Sequence, residues 1–247
     1  MFVRYINLNR QTQLNEQMKK VKCKFPLERF EAIEFQGDPE TVLTTHAWSL
    51  YQKPREAHES FIGKGSLGCA LSHIEVWKQF LESPHEHALV LEDDIDTQEI
   101  DIDSILKEKW DIALLGWAGN RIQIQDGHVI PWPQSKGYFG GHAYTLTRRA
   151  AEILLREAFP LSIQIDFYIQ MIASKYKLKI RASTNPIRQK IKGFFQSDLQ
   201  EFNWKIWISD IEKSCSSIFK SAIFLTIVFS LFFTLSFLVE KITILKK

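Results

Sequence analysis

Three adjacent carboxylates, Glu92-Asp93-Asp94, follow a short apolar run, Ala88-Leu89-Val90-Leu91, with no spacer between them. A run of that length closed by turn-forming acids reads as a buried strand that delivers its carboxylates to the C-terminal edge of a sheet. Carboxylate oxygens are hard ligands. Clustered at a strand end, they suit a divalent cation that keeps open positions for substrate phosphates. A core strand with an incidentally acidic loop gives the same tripeptide, so the rest of the chain has to decide.

The segment upstream opens with Gly63-Lys64-Gly65-Ser66-Leu67-Gly68 and continues as an amphipathic helix, with Leu67, Ala70, Leu71, Ile74, Trp77, Phe80 and Leu81 recurring at three and four. Glycines at its start permit close backbone approach, and helix N-terminal amides can hold an anion. The order and spacing of a P-loop are missing. Ser72 and His73 are no nucleophilic pair, because adjacent helical side chains point about 100° apart. Cys69 reads as a packed small hydrophobe. Cys23, Cys69 and Cys215 are far apart with no CxxC pair, which argues against a zinc site or disulfide framework and suits a reducing compartment.

The elements that must position these groups follow from patterning. Phe2 to Leu8 alternates and predicts a first strand, Thr12 to Lys20 a polar helix, and Phe30 to Ile33 a second short strand. A β-α-β opening forms nucleotide-binding crevices at the carboxyl ends of its strands, although no glycine fingerprint is present. Residues 37–61 are irregular and could cover a site. Trp110 to Gly116 predicts another core strand, and Asp126-Gly127 a hairpin turn within Arg121 to Ile130. Gly137 to Leu146 reads as a glycine-rich turn running into a strand. Thr147 caps a helix from Arg148 to Glu157, and Ile163 to Asp166 opens a further one through Ala173.

The 247 residues allow one domain of about 200 residues plus an appendage. The net charge of +2 gives no reason to expect nucleic acid. Lys175 to Lys192 carries seven basic residues and no acid, a solvated surface or a face for anionic headgroups or a phosphorylated glycolipid. Ser221 to Val239 is nineteen residues without a charge, about 28 Å as a helix, and predicts a membrane span or anchor. Trp204 and Trp207 precede it. The start of the chain shows no secretory signal. The expected organisation is a catalytic domain over 1–200, a basic and aromatic juxtamembrane segment over 201–220, and an anchor helix over 221–239.

Several blocks together resemble glycosyltransferase family 25, the lipooligosaccharide-type glycosyltransferases of Gram-negative bacteria. They are VRYINLNR, GKGSLGCALSHIEVWKQFLE, ALVLEDDI, WDIALLG, GGHAYTLTRRAAEILL, IQIDFYI and NPIRQ with SDL, in the family's order over about residues 2 to 199. The resemblance implies an α/β, GT-A-like fold with a mostly parallel central sheet, a C-terminal hydrophobic helix lying outside it. It implies a nucleotide-sugar donor, usually UDP-galactose, a glycolipid acceptor and Mn²⁺ (or Mg²⁺). Glu92-Asp93-Asp94 stands where the family has its acidic metal motif. Asp94 is then the expected metal ligand, with Asp93 and Glu92 on metal or ribose. Asn7, Leu8, Ser72, His73, Gly140, Gly141 and His142 are expected around the donor, with packing or backbone contacts competing at Ser72, His73 and His142. Asp166 is the expected general base of an inverting galactosyl transfer. The expected location is the cytoplasmic face of the inner membrane, held by the C-terminal anchor. Another metal-dependent phosphate-ester enzyme and an inactive scaffold are the competing classes.

Overall fold

A computed structural model describes residues 1–52, 60–61, 63–118 and 122–190, all within the unit Met1–Glu201. Six strands form the central sheet: β1 (Phe2–Asn7), β2 (Glu28–Glu31), β3 (His87–Glu92), β4 (Ile112–Ala118), β5 (Phe139–Thr147) and β6 (Ile180–Ala182). Their spatial order is β6-β4-β5-β3-β1-β2. Every pairing is parallel except those of β5, which runs against both β3 and β4. The expected α/β class therefore stands, with a sheet that is mixed and mostly parallel.

The apolar runs are continuous because the sheet is covered on both faces. Alternate residues serve different cores. Phe2, Ile6, Ala88, Val90, Ile112 and Leu114 face one, while Val3, Tyr5, Leu89, Leu91, Ala113 and Leu115 face the other. Besides α1 (Thr12–Met18), three helices matter for the site: α2 (Gly63–Glu82), α3 (Arg148–Arg156) and α4 (Ile165–Tyr176). Buried residues of all three join the first core. Helix α2 runs close to the strand end after β2, where a Cβ at Gly68 would lie 2.3 Å from the Ile33 carbonyl oxygen. The far end of α2 is held by Arg148, whose guanidinium donates to the carbonyls of Leu81 at 2.7 Å and Ser83 at 2.8 Å. Cations are favoured at such a terminus, where the last carbonyls lack partners.

Local signals are met closely. Thr147 Oγ1 accepts from Ala150 N at 3.2 Å as the cap of α3. Asp126 and Gly127 both take positive φ, 50° and 74°, which is the turn their hairpin requires. The basic run is divided among separate tasks: Lys175 pairs with Glu157 at 2.6 Å, and Arg181 with Glu108.

The expected membrane location is corrected. Among the described residues no helix is long and apolar enough to cross a membrane. The stretch 221–239, on which the expected anchor rested, lies outside the described residues, as do 201–220, Lys192 and the SDL block. Among the described residues no apolar helix supports an inner-membrane placement.

Candidate functional site

The carboxyl ends of β1, β3 and β4 lie at one edge of the sheet. Because β5 is reversed, its beginning, Phe139-Gly140-Gly141-His142, lies there too. Open α/β sheets bind ligands outside the carboxyl ends of their strands.

The three acids face different ways. Asp93 is buried, and its Oδ2 accepts from Asn7 Nδ2 at 2.7 Å. Glu92 and Asp94 converge. Gln189 Nε2 is 3.2 Å from Glu92 Oε2 and 3.2 Å from Asp94 Oδ1. Gln189 belongs to the short strand Arg188–Gln189, which pairs antiparallel with Ile95–Asp96, and Lys190 N donates to the Asp94 carbonyl at 2.7 Å. Two carboxylates that meet around one donor nitrogen fit a hard divalent cation as well, since such ions bind carboxylate oxygens at about 2.0–2.6 Å.

Asn7 ties three segments together. Besides Asp93, its amide donates to the Gln11 carbonyl at 3.1 Å, and its Oδ1 accepts from Arg29 Nε at 2.8 Å. Leu8 takes part through its backbone, accepting from Gln11 N at 2.9 Å.

Helix α2 delivers Cys69, Ser72 and His73. Ser72 Oγ accepts from Ile33 N at 2.8 Å and donates to the Gly68 carbonyl at 2.7 Å, so it is engaged in helix–strand packing. His73 is fully buried. Its Nδ1 is 2.8 Å from the Tyr144 hydroxyl, and its Nε2 is 3.4 Å from Glu92 Oε1. Cys69 Sγ is 4.0 Å from the same oxygen. Burial foremost, then the carboxylates of Glu92, Asp166 and Asp94, push the Cys69 thiol well above its usual range.

Asp166 sits in the first turn of α4. Its Oδ2 accepts from Gly140 N at 3.1 Å and its Oδ1 from Phe167 N at 2.9 Å. Burial raises its pKa, the two N–H groups oppose that rise, and the Glu92 charge adds to it. A raised carboxylate is a better proton acceptor near neutral pH. Gln170, one turn on, donates to the Tyr138 carbonyl at 2.9 Å and accepts from Tyr138 N at 3.0 Å, which fixes the chain entering β5.

His142 is buried and donates from Nε2 to the Ile187 carbonyl at 2.9 Å. Ile187 N donates in turn to the Leu115 carbonyl at 2.7 Å. This contact holds the segment leading to Gln189 against the sheet, and Gly116 makes room for it: a Cβ there would lie 2.3 Å from His142 Nε2 and 2.6 Å from Ile187 O. At Gly141 a Cβ would meet nothing within 4 Å.

The structure thus groups Glu92, Asp94 and Asp166 at one edge. It engages Asn7 with Asp93, and Ser72 and His142 with backbone. Patterning alone missed two neighbours of Glu92. The i, i+4 spacing of Cys69 and His73 could have signalled the first; Gln189, in the NPIRQ block, had no chemical signal of its own.

Residues 2–132 match the model of Glycosyltransferase family 25 (LPS biosynthesis protein). The chain is 28% identical over 214 residues to procollagen galactosyltransferase 2 of Mus musculus, covering 80% of this chain and 33% of that protein. It is 23% identical over 161 residues to procollagen galactosyltransferase 1 of Danio rerio, covering 59% and 25%. It therefore spans only a quarter to a third of the length of these curated relatives. Among solved structures, HddC from Yersinia pseudotuberculosis complexed with GMP-PN aligns with a TM-score of 0.37 and 12% identity over 75% of this chain and 91% of that one. A197 from STIV aligns with a TM-score of 0.37 and 13% identity over 75% and 83%. These structural likenesses are too distant to bear on the site.

Proposed function

The chain belongs to glycosyltransferase family 25, and on that premise we propose that it transfers a hexose, galactose from UDP-galactose, to a glycan acceptor of the lipooligosaccharide type. The observation that carries this reading is the convergence of Glu92 and Asp94 on one point at the carboxyl edge of the sheet. The relatives' names, both galactosyltransferases, support the choice of sugar.

In this reading Glu92 and Asp94 hold a divalent cation, Mn²⁺ or Mg²⁺, with Asp93 held back by Asn7 as the brace of the turn. When bound, the cation supplies Lewis-acid stabilisation of the charge that develops on the leaving nucleoside diphosphate. Gly141, where a Cβ would meet nothing within 4 Å, offers uncluttered backbone to the donor, next to Gly140, whose N–H is held by Asp166. Asp166 takes the proton of the acceptor hydroxyl at its carboxylate as that oxygen attacks the anomeric carbon, the single general base that an inverting displacement needs.

A donor-turnover assay with UDP-galactose, Mn²⁺ and a glycolipid acceptor tests this on Asp94→Ala. We expect UDP release to fall at least 100-fold, in line with loss of a charge-stabilising group. Undiminished release would remove the acidic turn from the mechanism.

A further inference from the structure

Glu92 presents its two oxygens to different surroundings. Oε2 faces Gln189 beside Asp94, whereas Oε1 faces Cys69 and His73. Sγ of Cys69, a ring nitrogen of His73 and a carboxylate oxygen of Glu92 all lie within 4.8 Å of one another. We propose that these three residues form a binding site for a soft divalent cation of the zinc class, separate from the oxygen pair of Glu92 and Asp94. This site stands whether or not the chain transfers sugar.

Three observations carry it. First, His73 Nε2 is completely buried, points into the group and has no hydrogen-bond partner there, although it lies 3.4 Å from Glu92 Oε1. A buried polar atom without a bond costs about 1–3 kcal/mol, and a cation on its lone pair removes that cost.

Second, the far side of the ring has an oxygen partner of the kind metal-bound histidines use. Nδ1 is 2.8 Å from the Tyr144 hydroxyl, which accepts from Trp77 Nε1 at 2.9 Å, and a cation on Nε2 would leave the ring proton on Nδ1, facing that oxygen. A hydroxyl oxygen has two lone pairs, so it can take both donors. A histidine whose Nδ1–H is given to oxygen keeps its Nε2 lone pair for a metal, and such partners orient the ring.

Third, the spacing fits. Cys69 and His73 are four apart on α2 and share a face. Zinc bonds of about 2.0–2.3 Å place the ligand atoms of one tetrahedral ion roughly 3.3–3.8 Å apart. His73 Nε2 lies 3.4 Å from Glu92 Oε1, inside that range, and Cys69 Sγ lies 4.0 Å from it, so the thiol side chain closes in by a few tenths of an ångström on a bound ion. Thiolate and imidazole select zinc-like ions over manganese or magnesium, which prefer oxygen. Binding forms S–metal, N–metal and O–metal bonds, and the thiol proton leaves to solvent. Three protein ligands leave a fourth position open.

The test is Co²⁺ titration of the full chain after chelator treatment. Wild type should develop a near-ultraviolet thiolate-to-cobalt absorption that saturates at one equivalent and is abolished by Zn²⁺. Cys69→Ser should lose the band while Ser72→Ala keeps it, and Tyr144→Phe should weaken binding about tenfold. No thiolate band in wild type, or an undiminished band in Cys69→Ser, overturns the site. Should Cys69→Ser fail to fold, alkylation of wild type read by peptide mass decides instead. Zn²⁺ should protect Cys69, and equal labelling with and without Zn²⁺ overturns the proposal.

Discussion

Asn7 Nδ2 lies 2.7 Å from Asp93 Oδ2, a buried hydrogen bond that joins the end of β1 to the acidic turn after β3. The two strands are already parallel neighbours, with Ile6 opposite Glu92. The side-chain bond extends that ladder past its last backbone pair. It gives the middle acid of the EDD tripeptide a partner on β1, whereas Glu92 and Asp94 both lie within reach of Gln189.

Replacing Asn7 by Ala removes the donor to Asp93 and the acceptor for Arg29 at once. Loss of a partner from a buried charged group costs about 1–3 kcal/mol, so the urea midpoint should fall accordingly. The KM for donor should rise as well, because Asp94 is the next residue in the loosened turn. A variant with unchanged midpoint and KM would show that the bond supports nothing.

Asp166 carries a raised pKa, which sets the sign of its effect on stability. A carboxylate raised above its unfolded value contributes stability that is fully present below the ordinary range, near about 4, and lost as pH rises through the folded value. At neutral pH its charge is therefore a burden on the fold. Asp166→Asn should raise the urea midpoint at neutral pH, with the gain shrinking to nothing below the ordinary carboxylate range. Transfer should fall by about 10²–10⁴-fold, the usual worth of a general base. A variant that is both less stable at neutral pH and fully active would refute both assignments.

Gly116 and Gly141 look alike in the sequence and differ in their surroundings. Gly116→Ala would force a Cβ to 2.3 Å from the His142 ring and 2.6 Å from a backbone carbonyl, neither of which is a flexible side-chain end. Overpacking of this kind costs about 1–3 kcal/mol and should loosen the segment before Gln189. Gly141→Ala meets nothing within 4 Å. Its urea midpoint should match wild type while its KM for donor rises, since the new methyl stands where the donor is expected. Paired denaturant melts and donor titrations separate the two outcomes.

How much of this was legible beforehand depends on the range of the forces involved. Caps and turns are local, so Thr147 and Asp126-Gly127 announced themselves. The ALVL run declared a strand buried on both faces, but a run without alternation says nothing of neighbours or direction. The reversal of β5 was invisible for that reason, since its residues are buried whichever way it runs. The tripeptide fixed where the acids are and left open which way each points, because in the turn Asp93-Asp94 orientation follows from partners 86 residues away at Asn7 and 95 away at Gln189. Cys69 was judged by what its sequence neighbours lack, a CxxC spacing, whereas its environment comes from another strand.

The placement of β5 has a consequence for how the chain can be divided. Strands β3 and β4 are consecutive along the chain within this sheet yet never pair; their facing edges close only on β5, the later strand that enters between them. A chain ending before Phe139 would lack β6 as well as β5, leaving one edge of β3 and both edges of β4 without a partner, each a template for pairing with another molecule. During synthesis the edges that face β5 stay open until β5 has emerged, and the outer edge of β4 until β6 follows. Aggregation of shortened or stalled chains is thus written into the strand order.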